Sequence, residues 1–164
     1  MKADIIIAID GDVDKSGVAC IDKRFRTLTV QNLTFVQVIE YLQGLIYQKE
    51  AHNLAIDVVV EASWNTKHNW HALPRDSKAV AAAKGYAVGC NHTVGKLIVQ
   101  MAEFYGFNVV QQAPLRKCWK GPDRKITNDE LNGLLKQAGV EPLKRSNQES
   151  RDAALIGLYH GKLI

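Results

Sequence analysis

The sequence predicts an α/β fold. Its core is a mixed five-stranded sheet, a three-stranded antiparallel meander plus parallel strands, with helices on both faces. Two observations carry this. Strand-like apolar runs come first, then alternate with helical periodicity, and the chain closes on helices. The apolar run Ile5–Ile9 is unbroken and Ile56–Val60 is interrupted only by Asp57, as expected of strands covered on both sides. With 164 residues and 18.2 kDa, the chain makes one domain over 1–164 and is too short for two independent cores.

Ile5–Ile9 ends abruptly in Asp10-Gly11-Asp12, a buried strand feeding a loop. Val18–Asp22 and Arg26–Gln31 follow as strands around the polar turn Asp22-Lys23-Arg24, completing the meander. Thr34-x-x-Gln37 has capping-box form. Phe35, Val38, Ile39, Leu42, Leu45 and Ile46 behind it recur at helical spacing. Ile56–Val60 is again closed by an acid, Glu61, and a polar, aromatic loop runs to about Asp76. Ser77–Tyr105 reads as helix, with Gly85, Gly89 and Gly95 marking a kink, a break or close packing. Phe107–Val110 is a further strand. Thr127-x-x-Glu130 opens a short helix to about Ala138, and Ser146-x-x-Glu149 opens the last, ending near His160.

The net charge of +4 has an address. Between Gln111 and Asn128 stand Arg116, Lys117, Lys120, Arg124 and Lys125 against the single Asp123, and over the rest of the chain the charges cancel. A neutral body with one basic segment points to a localised polyanion. No apolar stretch approaches the roughly 20 residues of a membrane span, and Ile5–Ile7 is too short for a signal peptide. Cys20, Cys90 and Cys118 are odd in number and form no CxxC pair, so a reducing cytoplasm is expected.

Asp10 and Glu61 each end a buried strand, where open α/β sheets gather ligands. Glu149 and Asp152, at i and i+3, share one face of the last helix. Four carboxylates brought together without matched lysines repel one another, and divalent cations are the usual means of keeping them ionised. Oxygen-only ligation favours Mg²⁺ or Mn²⁺ over zinc. Each acid also has a plainer reading: Asp10 as a turn former, Glu61 as a surface residue, Glu149 as the third residue of a capping box, Asp152 as a complement to the helix dipole. Asp10-x-Asp12-x-Asp14 fails as a calcium loop, with Lys15 where glycine is needed and Ile21 where glutamate is needed. Neither His68-x-x-His71 nor Cys90-x-His92 has an established zinc spacing.

Ile5-Ile-Ile-Ala-Ile-Asp10 with Ser16-Gly-Val-Ala19, Val58-Val-Val-Glu61, Val94-Gly-Lys96, and Glu149-Ser-Arg-Asp152-Ala-Ala-Leu with His160 together resemble the RuvC-type Holliday junction resolvases of the ribonuclease H-like superfamily. The resemblance covers nearly the whole chain. It implies a ribonuclease H-like endonuclease acting in recombination and repair, with a metal-binding tetrad of Asp10, Glu61, Glu149 and Asp152. Two Mg²⁺ ions, replaceable by Mn²⁺, would serve phosphodiester hydrolysis. It further implies a homodimer and a four-way or otherwise branched DNA substrate. The family more often carries Asp or His where Glu149 stands. Its lysine near the Thr127 helix is here Asn128, leaving Lys125 or Lys117 to supply the charge.

Arg116, Lys117, Lys120, Arg124 and Lys125 are then expected to hold phosphates. Trp64 and Trp70, in the long loop after Glu61, are expected to stack on or wedge the junction, with Trp119 also bordering the site. Packing of an indole onto the core explains each tryptophan as well. The helix over 77–105, with Val94, Ile98 and Met101, is the expected dimer surface, and a buried intramolecular face explains those three residues as well. Two other functions stay open. One is a branched nucleic-acid-binding module that does not cut, and the other a phosphatase or phosphotransferase using Asp10 as nucleophile beside Asp12. If the tetrad is right, the four carboxylates should gather in one cluster.

Overall fold

A computed structural model describes residues 3–66 and 72–164. Its five strands are β1 (Ile5–Asp10), β2 (Ser16–Asp22), β3 (Thr27–Leu33), β4 (Ile56–Glu61) and β5 (Asn108–Gln112), ordered β3-β2-β1-β4-β5. β1, β2 and β3 form the antiparallel meander, while β4 runs parallel to β1 and β5 parallel to β4. This is the expected mixed sheet. The helices are α1 (Phe35–His52), α2 (Lys78–Phe104), α3 (Asn128–Gln137) and α4 (Gln148–His160).

The central strand explains the uninterrupted apolar run. Ile6 and Ala8 face a core shared with α3 and α4, including Leu131, Leu135, Ala154 and Leu158. Ile5, Ile7 and Ile9 face the opposite core, with Val38 and Leu42 of α1 and Ile98 and Ala102 of α2. Each such side chain contributes roughly 1.5–3 kcal/mol by leaving water, so β1 is fixed from both sides. Pairing of Ile9 with Val60 sets the next residues, Asp10 and Glu61, side by side at the carboxyl edge of the sheet.

Two helix assignments are sharpened. Ser77 caps a single 27-residue α2, and Gly95 within it is a place of close packing: a Cβ there would strike the Trp64 indole, and a Cβ on Gly11 would press on the Gly95 backbone. Only Gly95, Ile98, Val99 and Ala102 of α2 are buried, so its amino-terminal half stands away from the core. In α4 the cap is Asn147, whose side chain accepts from the Ser150 N–H. Ser146 does not cap this helix. Its hydroxyl instead donates to Asn128 Oδ1 at 2.6 Å, and Glu149 is therefore not part of a capping box. Among the described helices none is long and apolar enough to cross a membrane.

Candidate active site

At the carboxyl ends of β1 and β4 a cleft of about 240 Å³ opens, and all four predicted acids line it. Asp10 and Glu61 arrive on neighbouring strand ends, Glu149 and Asp152 on the first turns of α4. α4 reaches them because residue 17 is glycine: any Cβ there would collide with the Glu149 carbonyl. One wall is α2 with the segment after β4, presenting Val88, Asn91, His92, Ser63 and Thr66. The other is the basic segment, presenting Arg116, Lys117, Trp119 and Lys125.

The electrostatics follow from this crowding. Burial, then the charges of Glu61, Asp152 and Glu149, push the Asp10 carboxyl well above the usual aspartate range, with Lys125 opposing them. Burial and Asp152 push Glu61 up in the same sense, against Lys117 and Lys125. Burial of Lys125 works against its charge, but Asp152, Asp10 and Glu149 outweigh it and hold the ammonium above its ordinary value. Its Nζ lies 3.2 Å from Asp152 Oδ2, and Gln148 Nε2 donates to Asp152 Oδ1 at 2.7 Å. Lys125, with Lys117 acting on Glu61, opposes the charge of four acids, which leaves negative charge for a further cation to balance.

The loop that follows Asp10 is clamped to α2. Asn91 Nδ2 donates to Asp12 Oδ2 at 2.9 Å, and Asn91 Oδ1 accepts from the Val13 N–H at 2.9 Å. The other Asp12 oxygen accepts from the Asp14 N–H at 2.8 Å. Both oxygens of Asp12 are therefore committed to holding the loop. No local pattern singles out Asn91, since its partners come from a distant stretch of chain.

The donor set suits a hard divalent cation, being all carboxylate and mutually repelling. Among the described residues, however, no three His, Cys, Asp or Glu side chains stand close enough to hold a metal ion as they are placed. The acids share a cleft without forming a ligand-tight cluster. Of the remaining predicted residues, Arg116 and Lys117 are exposed on the cleft wall. Lys120 and Arg124 are exposed in the same segment but do not line the cleft. The Lys120 N–H reaches the Glu130 carboxylate at 3.1 Å. Trp64 packs on Gly95 and stands edge-on to His92, ring centroids 6.5 Å apart. Trp119 borders the cleft with its indole N–H buried and without a partner among the described residues. Trp70, His68 and His71 lie outside the described residues.

No protein-family model and no curated protein sequence matches the chain. Solved structures do match. One is Thermus thermophilus RuvC in complex with a Holliday junction substrate, 12% identical, covering 95% of this chain and 91% of that one at a TM-score of 0.47. T. thermophilus RuvC by itself is 14% identical, covering 95% and 92% at a TM-score of 0.43. The yeast mitochondrial Holliday junction resolvase Ydc2 is 7% identical, covering 99% and 80% at 0.38.

Proposed function

We propose that the chain is a Mg²⁺-dependent, structure-selective endodeoxyribonuclease that cuts four-way or related branched DNA in recombination and repair. The observation that carries this is the delivery of four carboxylates, by two adjacent strand ends and one helix, to a cleft walled by the chain's basic segment. Asp10, Glu61, Glu149 and Asp152 would hold two Mg²⁺ ions, or Mn²⁺ in their place. Such ions supply the positive charge that polarises a phosphodiester and favours attack by water. The chain's own residues do the rest. Arg116 and Lys117 face the cleft and take the DNA backbone, a salt-dependent and largely sequence-independent grip. Lys120, Arg124 and Lys125 extend that basic surface, and the segment after β4 that carries Trp64 borders the branch.

A homodimer through α2 would use its exposed Val80, Tyr86 and Phe104, since Ile98 and Val94 pack into the chain's own core. The three cysteines are free and accord with a reducing cytoplasm.

The alternatives lose specific support. A phosphatase would need Asp12 free to exchange a proton, yet both of its oxygens are tied to Asn91 and Asp14. A binding module that does not cut was favoured by Glu149 serving as a helix cap, and Asn147 has that role. The test is to incubate the protein with a labelled four-way junction and a linear duplex, with and without Mg²⁺. Incision of the junction alone, only with Mg²⁺, is expected. Binding without incision would defeat the nuclease reading.

A further inference from the structure

We propose that Arg151 is a positioning residue of this site, orienting the Gln148 amide that holds the Asp152 carboxylate. The inference rests on the nuclease reading for its consequence and on geometry for its substance.

Arg151 precedes Asp152 on α4 and is partly buried. Its Nε donates to the Ile126 carbonyl at 3.0 Å, Nη1 to the Ser146 carbonyl at 2.6 Å and Nη2 to Gln148 Oε1 at 2.9 Å. The guanidinium is a rigid fork of donors with no acceptor, so three directions are set at once. One of them leads to Asp152: Gln148 Nε2–H donates to Asp152 Oδ1 at 2.7 Å. The other carboxylate oxygen, Oδ2, meets Lys125 Nζ at 3.2 Å. Oδ1 therefore meets a group whose place Arg151 decides.

The amide of Gln148 gives this relay a direction. A guanidinium can only donate and an ionised carboxylate can only accept, so oxygen must face Arg151 and nitrogen must face Asp152. The reverse orientation would oppose two donors and two acceptors. Ser146 and Ile126, the remaining partners, lie in the segments before α4 and after the basic turn. Arg151 thus also binds the phosphate-gripping wall to the helix that carries two of the acids.

A purely structural tie would make the same contacts with carbonyls, so the test must read the relay itself. Arg151→Lys keeps the charge and loses the fork, and Gln148→Met keeps the length and loses the amide. In ¹⁵N spectra, the Gln148 side-chain signals, assigned by their loss in Gln148→Met, are expected to shift in both Arg151→Lys and Asp152→Asn. Single-turnover junction incision is expected to fall about tenfold or more in Arg151→Lys and Gln148→Met, the usual scale for residues that orient ligands. Junction affinity should stay within about twofold, and the double variant should be no slower than the slower single one. Unmoved Gln148 signals would overturn the proposal whether or not the protein cuts DNA. So would additive losses of incision. A wild type that shows the shifts but never incises would defeat the nuclease reading and leave the relay standing.

Discussion

Asp10 binds its proton more tightly in the folded protein than in the unfolded chain, and Glu61 does the same. The native state then carries more protons than the unfolded one, so these two groups favour folding at low pH. Their contribution is lost as pH rises from the ordinary carboxylate range through their folded values. Asp22, held low by Arg24, and Asp76, held low by the Leu73 N–H, act in the opposite sense. The difference between wild type and Asp10→Asn isolates the site. Without divalent cation, Asp10→Asn is expected to be about 0.5–2 kcal/mol more stable than wild type at neutral pH, the usual gain when a functional strain is relieved. That advantage should shrink toward pH 4. Urea unfolding across pH 4–8 measures it, and an equal or less stable variant at pH 7 would mean that Asp10 is not strained there. Lys125→Met tests the opposing charge. Part of this ammonium is open to solvent, which screens it, so a loss within about 1 kcal/mol is expected from the same unfolding curves.

At the scale of elements, α4 depends on what it meets. Gly17→Ala would force the new methyl group into the Glu149 carbonyl, at about 1–3 kcal/mol for an overpacked contact. The helix should shift away from β2, lowering both the thermal midpoint and junction incision. Unchanged incision in this variant would mean that the placement of α4 does not govern the acids. How much of each element was legible varied for physical reasons. β1 and β4 were plain, because strands covered on both faces are largely apolar, with Asp57 of β4 a polar exception. The start of α4 was read one residue early: Ser146 and Asn147 are both good caps, and the choice turns on the bond from Ser146 to Asn128, a tertiary contact. The glycines of α2 left a kink, a break and close packing open, and close packing holds at Gly95; only the fold could decide, since the partners Trp64 and Gly11 come from other parts of the chain. Asn91 and Arg151 were given no role, being polar helix residues whose partners only the fold supplies.

Over the whole molecule, an acidic cleft floor meets a basic wall. The four acids could be read from the sequence because strand ends and a helix face are local features. Their spacing could not, because it depends on side-chain placement across three elements. The wall makes a prediction of its own. Arg116→Ala and Lys117→Ala should each weaken junction binding about uniformly across DNA sequences and reduce the slope of affinity against salt by about one, measured by titration at several ionic strengths. An unchanged slope would place the DNA elsewhere. The account as a whole stands on Asp10 acting through a divalent cation to cut branched DNA. Its most direct measurement is the single-turnover rate of four-way junction incision against Mg²⁺ concentration, for wild type and Asp10→Asn side by side. Mg²⁺-dependent incision that Asp10→Asn abolishes while still binding the junction is the predicted result. Incision without Mg²⁺, or at equal rate by both proteins, would contradict it.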